Sequence, residues 1–94
     1  MGLQALGGVP RTRTFTIDTT GRFVQFDALS MWLDIKADAA LDLFWSQADF
    51  DNGVNAHRVD GGERFSLPVE DRGVWMQGVG GDVNVRMTVI HRKG

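Results

Sequence analysis

The sequence predicts an all-β domain, a small antiparallel β-sandwich or jelly-roll-like barrel of about seven strands. Its 94 residues suffice for one domain, and a composition of 43% hydrophobic and 23% charged residues is that of a globular protein. Glutamate and lysine, which favour helices, number two each, whereas there are ten aspartates, which favour turns. Finally, seven segments separated by turn residues alternate apolar and polar side chains, which is typical of strands.

The first two segments predict a hairpin. In 13–18, Phe15 and Ile17 alternate with polar residues, as in a strand with one buried face. A Thr-Gly pair follows, and 22–26 is apolar on both faces. The short turn between these two runs predicts that they pair with each other.

The next two strands are predicted at 30–36 and 41–46. In the first, three apolar residues share one face and Trp32 lies on the other. In the second, two leucines and Trp45 lie on one face and Phe44 lies on the other, and which tryptophans belong to the core is left open.

A helix over 27–44 is the alternative for this part of the chain. Its alanines favour a helix, and five apolar residues would form one stripe along it. Because Asp38-Ala39-Ala40 also reads as a turn between two alternating strands, we adopt the strands and retain the helix as the alternative.

The C-terminal third predicts three strands, at 63–68, 73–77 and 82–91. The last alternates most regularly, and its apolar face consists of Val83, Val85, Met87 and Val89. The glycines of 78–81 precede a strand and lack a following Lys-Ser/Thr pair, so they predict a tight turn instead of a phosphate-binding loop.

Two segments are expected outside the strands. Residues 1–12 contain three glycines and a proline, which predicts a flexible N-terminal arm ahead of a single domain spanning 13–94. Residues 46–62 form the longest predicted loop, and loops of this length in small domains are often functional.

No arrangement of residues indicates catalysis. The absence of cysteine excludes disulfides, cysteine-type zinc sites and thiol nucleophiles. The serines lie outside any G-x-S-x-G turn, and His91 is followed by Arg92 and Lys93, whose charges disfavour a general base. We therefore predict a noncatalytic protein with no cofactor, and a small hydrolase that depends on His57 ranks third among the functions considered.

One segment has a faint likeness to a calcium loop. Residues 49–53 place aspartates and an asparagine before a glycine, but the ligand spacing of an EF-hand is not met and no closing glutamate follows. An Asx-rich hairpin turn is favoured over a metal site.

The charge distribution disfavours nucleic acid and favours docking between proteins. The net charge of −2 is too near neutral for a partner of polyanions. Six basic residues could gather if the first and last strands are adjacent: Arg11, Arg13, Arg22, Arg86, Arg92 and Lys93. However, 23–51 contains six aspartates and one lysine, so the middle of the chain is acidic while the termini are basic. This difference in charge suits docking between subunits. No run approaches the roughly 18 apolar residues that span a membrane.

The chain carries more large apolar residues than seven strands use. Seven strands with about three inward residues each bury roughly 21, which leaves about a dozen for loops and outer faces. Either loops cover these residues or a partner does, and we expect a partner. The predicted interface residues are Leu3, Leu6, Val9, Trp32, Phe44, Phe50 and Trp75.

The run GERFSLPVEDRGVWMQGVGGDVNVRMTVI (62–90), with LDLFWS (41–46) before it, resembles small β-sandwich virion structural proteins of tailed bacteriophages, notably capsid decoration or cement proteins. The likeness is one of strand layout and turn placement over 13–94. It implies a noncatalytic protein, made in the host cytoplasm, that sits on the capsid surface as a homo-oligomer, with a trimer favoured. Its partner would be the major capsid protein or another virion protein, and its arm would hold Leu3, Leu6 and Val9 as anchors.

A carbohydrate-binding module or receptor-binding tip domain is the alternative. Trp32, Trp45 or Trp75 would then be exposed as stacking platforms, and 46–62 would supply aspartate and asparagine hydrogen bonds to sugar hydroxyls.

Overall fold

In this computed structural model, the described residues, 8–26, 30–68 and 72–92, form eight strands and one short helix. The strands are β1 (Gly8–Ile17), β2 (Arg22–Gln25), β3 (Ser30–Ala37), β4 (Leu41–Phe44), β5 (His57–Val59), β6 (Arg64–Pro68), β7 (Gly73–Gly78) and β8 (Val83–Arg92). The helix α1 (Gln47–Asn52) lies between β4 and β5. In these ranges, no helix has the length and apolar character that crossing a membrane requires.

The strands form two antiparallel four-stranded sheets. Sheet I has the order β1–β8–β3–β6, and sheet II has the order β2–β7–β4–β5. Because the chain crosses between the sheets at most of its turns, sequential strands seldom pair, which is the jelly-roll arrangement. The predicted all-β fold is confirmed.

The predicted hairpin between 13–18 and 22–26 is wrong. β1 pairs with β8 over ten residues, from Gly8 opposite Arg92 to Ile17 opposite Val83, and β2 pairs with β7. The turn between them is held by Asp18, whose Oδ1 accepts the backbone N–H groups of Thr20 and Gly21. This turn carries the chain from one sheet to the other.

The core lies between the sheets and follows the period-two alternation. All four apolar residues of the β8 face are buried, and so are Leu33 and Ile35 of β3. From sheet II, Leu41, Leu43 and Met76 are fully buried against them. Alternation thus located the interior, and the strand interpretation of 27–44 is correct where the structure describes it.

Part of the segment predicted as an N-terminal arm lies in a strand. Residues 8–12 belong to β1, because the ten-residue length of β8 offers backbone partners as far as Gly8. Residues 1–7, which include Leu3 and Leu6, lie outside the described residues.

The segment 46–62 is structured. Ser46 caps α1 by accepting the backbone N–H of Asp49 at 3.2 Å, and Gly53 ends the helix with φ of 64°. The Asp-rich motif at 49–53 is therefore the end of a helix and not the expected hairpin turn. β5 then pairs with β4 and buries Val59.

Candidate functional site

The outer face of sheet II carries a row of aromatic side chains, Phe23, Trp75, Phe44 and Phe50, which we call the aromatic row. Phe23 of β2 and Phe44 of β4 lie opposite Trp75 of β7, one on each side. The rings of Phe23 and Trp75 are 4.5 Å apart between centroids, within contact distance. Because Val74 and Met76 face the core, alternation directs Trp75 outward.

One half of the aromatic row is covered and the other half is open. Phe50 of α1 packs on Phe44, which is only 1% exposed. Phe23 remains 39% exposed, and Trp75 beside it is half-buried. Phe44 was predicted at an interface, and this is corrected: α1 already covers its side chain, so Phe44 is not available to a partner.

Two glycines let the aromatic rings lie close to the sheet. A Cβ at position 73 would collide with the Phe23 ring and with the carbonyl oxygen of Val24. At position 21, where φ is 80°, a Cβ would lie 2.7 Å from the Met76 carbonyl oxygen and 2.8 Å from Cε1 of Phe50. Because these two positions lack a Cβ atom, the rings of Phe23 and Phe50 can lie directly against the backbone.

Trp32 lies on the opposite side of the molecule, on the outer face of sheet I. It is 40% exposed, and its cross-strand neighbours are Ile90 and Pro68. Trp32 and Trp75 therefore belong to two separate apolar surfaces, although the sequence placed them in one predicted interface. Val9 lies in β1, where its backbone is opposite His91 of β8. The side chain of Val9 lies outside the described part of the chain.

A third aromatic cluster lies where the edge strands β5 and β6 approach each other. His57 packs on Phe65 with ring centroids 4.3 Å apart, and Trp45 lies 6.5 Å from the same ring. Trp45 is 38% exposed, a position that the sequence left open. No sequence pattern indicates this cluster, because Trp45, His57 and Phe65 come together only through the fold.

Three described members of the predicted basic cluster lie in two different places, while Lys93 and the side chain of Arg92 lie outside the described residues. β1 and β8 are adjacent, as that prediction required. However, the guanidinium groups of Arg13 and Arg22 lie over Phe15, at 5.9 Å and 5.4 Å, beside the open edges of β1 and β2. Arg86 extends instead from the outer face of sheet I.

Two ion pairs join neighbouring strands. Arg58 binds Asp42 at 2.6 Å within sheet II, and Arg64 binds Asp34 at 2.8 Å within sheet I. Hydrogen bonding to Asp42 and Asp34 raises the pKa of each arginine. Within the described ranges, no group of three or more histidine, aspartate or glutamate side chains could hold a metal ion.

No family model and no curated protein matches the chain. Among solved structures, it is similar to an HTH_3 family transcriptional regulator from Vibrio cholerae, with a TM-score of 0.66 and 15% identity over 95% of this chain and 46% of that one. A de novo designed double-stranded β-helix gives a TM-score of 0.59 and 12% identity, over 84% of this chain and 97% of that one. The periplasmic inhibitor PliG of g-type lysozyme from Aeromonas hydrophila gives a TM-score of 0.51 and 13% identity, over 92% of this chain and 90% of that one.

These similarities establish the fold alone. The chain spans about half the length of the Vibrio regulator. It spans nearly the whole of the designed protein, whose double-stranded β-helix agrees with the jelly-roll order of the strands here.

Proposed function

We propose that this chain is a noncatalytic virion structural protein of a tailed bacteriophage, of the capsid decoration type, that binds its neighbours through the open half of the aromatic row. The observation that carries the proposal is the contact between Phe23, which is 39% exposed, and the half-buried Trp75 on the outer face of sheet II. The strand layout of 13–94, which resembles such virion proteins, supports the virion as the setting.

Aromatic side chains on a sheet face are suited to anchoring a protein contact. Each ring buries a large apolar area with few rotatable bonds, and such residues dominate binding energy in many interfaces. The ring of Phe23 is held between Trp75 and the bare backbone of Gly73. The anchor is therefore preorganised, and ordering it on binding costs little entropy.

The second apolar surface supports an assembly with two different contacts. Trp32 and Pro68 are exposed on the outer face of sheet I, opposite to the aromatic row, and Ile90 beside Trp32 is buried. A subunit with apolar patches on both faces can contact another copy through one and a capsid lattice through the other. In this proposal the aromatic row joins the copies, and the surface around Trp32 faces the lattice.

The mass of the chain in solution tests the contact between copies. We expect a homo-oligomer, with a trimer favoured, by sedimentation over a range of concentrations. Loss of a buried aromatic anchor weakens association by about tenfold or more, so Phe23→Ser should shift the chain toward monomer. Val54→Ser is the matched control, because Val54 is also exposed, at 46%, and lies outside the row. A wild-type chain that is monomeric at every concentration contradicts this contact.

The content of virus particles tests the virion assignment separately. Particles would be purified from cells in which the genome that encodes the chain produces virions, and the copies of the chain per major capsid protein would be measured by quantitative mass spectrometry. A fixed integral ratio is expected, with Trp32→Ser lowering the occupancy. Absence of the chain from purified particles contradicts the assignment even if the chain is oligomeric.

Carbohydrate binding is the second candidate, and Trp45 is the observation that favours it. This indole is 38% exposed, adjoins the Ser46 cap of α1, and lies near Phe65 and His57. Saccharides that quench tryptophan fluorescence in the wild type but not in Trp45→Phe would support this function. A response that is absent, or equal in the two proteins, would contradict it.

A further inference from the structure

A row of cations crosses three strands on the outer face of sheet I. Lys36 of β3 lies opposite Arg86 of β8 on one side and opposite Arg64 of β6 on the other. Side chains at directly opposite positions have Cβ atoms about 5 Å apart, where like charges destabilise a sheet. We call these three residues the cation row.

One member of the row is neutralised within the protein. The Asp34 carboxylate accepts hydrogen bonds from Nη2 of Arg64 at 2.8 Å and from Nε at 3.0 Å. It also accepts the hydroxyl of Ser66 at 2.8 Å. The Arg64 hydrogen bond is the main cause that holds the pKa of Asp34 below its usual range, so this carboxylate is charged and already engaged.

Asp38, which follows Lys36 by two residues and lies directly after β3, is also already hydrogen-bonded within the protein. Asp38 accepts the backbone N–H of Asn84 at 2.9 Å and the side-chain Nδ2 of the same residue at 2.8 Å. These hydrogen bonds lower the pKa of Asp38. Among the residues that the structure describes, the side chains of Lys36 and Arg86 form neither an ion pair nor a hydrogen bond.

The two unpaired cations face open grooves. A groove of about 700 Å³ is lined by Lys36 and Arg86 together with Thr14, Thr16, Asn84 and Asp38, whose carboxylate is bound by Asn84. An adjoining groove of about 330 Å³ shares Lys36, Gly62 and Arg86 with it and is also lined by the paired Asp34 and Arg64. Thr14 lies directly opposite Arg86 on β1, which places its hydroxyl on the same face.

We infer that Lys36 and Arg86 bind a small oxyanion of the phosphate or sulfate class. The guanidinium group offers two parallel donors, the ammonium group a point charge, and the Thr14 hydroxyl a further donor, which together suit a tetrahedral oxyanion. Because Arg64 is compensated by Asp34, Lys36 and Arg86 are the two members of the row whose positive charge is uncompensated. The site is therefore suited to a single anionic group and not to a nucleic-acid backbone. This inference goes beyond the proposed virion function and does not depend on it.

Amide chemical shifts in a titration with inorganic phosphate test the site, with sulfate as a parallel titration and chloride at equal ionic strength as the reference. We expect saturable shifts that are confined to the neighbourhood of Thr14, Lys36 and Arg86. Loss of a charged hydrogen-bond donor weakens binding by about tenfold or more, so Arg86→Gln and Lys36→Gln should each do so. Arg11→Gln is the matched control, since it removes an exposed positive charge outside the row.

Stability gives a second measurement that does not require a tight complex. Arg86→Gln relieves the repulsion by Lys36, so its urea midpoint without phosphate should equal or exceed that of the wild type. Phosphate should raise the wild-type midpoint above the midpoint in chloride and leave that of Arg86→Gln unchanged.

Three results would overturn the inference. One is the absence of saturable shifts beyond those seen in chloride. Another is a phosphate response that Arg86→Gln retains in full, or that Arg11→Gln weakens equally. The third is that a short single-stranded DNA binds at Lys36 and Arg86 far more tightly than inorganic phosphate does. That result would assign the cation row to nucleic acid.

Discussion

The ring of Phe50 meets the ring of Phe44 edge-on, with centroids 5.5 Å apart and ring planes at 77°. This contact fixes α1 against the outer face of sheet II and determines how much of the aromatic row is open. Phe44 is covered, while Phe23 and Trp75 remain accessible. The short helix therefore sets one boundary of the proposed interface.

Phe50→Ala should uncover Phe44 and destabilise the fold. Truncating a fully buried phenylalanine costs about 3–5 kcal/mol, and for the half-buried Phe50 we expect about 1–3 kcal/mol. Urea unfolding measures this loss, and stronger fluorescence of a hydrophobic dye should report the newly exposed ring. Val54→Ala, at an exposed position, should stay within about 0.5 kcal/mol of the wild type. If Phe50→Ala behaves as Val54→Ala does, α1 does not cover Phe44.

Gly21→Ala should be more destabilising than Gly80→Ala. Both glycines have positive φ, 80° and 82°, so the backbone strain of an alanine destabilises the fold by about 1–2 kcal/mol at either position. Only at position 21 would the new Cβ also meet the Met76 carbonyl oxygen and the Phe50 ring, whereas position 80 has nothing within 4 Å. The difference between the two free energies of unfolding isolates the steric contribution. Equal losses would contradict the close approach of Phe50 to Gly21.

Ser46→Ala should loosen α1 and, through it, the cover of Phe44. An N-cap hydrogen bond contributes about 0.5–2 kcal/mol, and the helix has only six residues to hold it in place. Ser46→Asp should retain most of the stability, because a carboxylate also accepts the N–H of Asp49. Amide hydrogen exchange over 47–53 measures the local effect. Unchanged exchange in Ser46→Ala would show that the cap does not hold the helix.

The sequence predicted what depends on local alternation. The buried face of β8 and the outward position of Trp32 follow from period two, because neighbouring side chains of a strand point to opposite faces. The choice of strands over a helix in 27–44 rests on the same rule. Strand partners depend on contacts between distant residues, so the pairing of β1 with β8 was not predicted.

The aromatic row shows where alternation is insufficient. It correctly placed Phe44 on the outer face of β4, but the cover comes from Phe50, in a segment predicted as a loop. Trp45 follows the last residue of β4, where side chains no longer have to alternate between core and solvent. The cation row was missed for another reason, since Lys36 and Arg86 are fifty positions apart and meet only through the register of β3 and β8.

Acid should remove the stability that Asp34 contributes. The pKa of Asp34 is lower in the folded protein than its ordinary value of 3.8, mainly because of the hydrogen bond from Arg64. Its contribution is therefore complete above that ordinary value and is lost as the pH falls through the folded-state pKa. Asp34→Asn should be less stable than the wild type at pH 7, and the difference in their free energies of unfolding should narrow below about pH 4.

Urea unfolding from pH 7 to pH 2.5 measures this difference. Asp51→Asn is the control, because the Asp51 side chain forms no hydrogen bond or ion pair with a described residue. A gap for Asp34→Asn that stays constant down to pH 2.5 would contradict the ion pair with Arg64, and with it the claim that Asp34 is unavailable to Lys36.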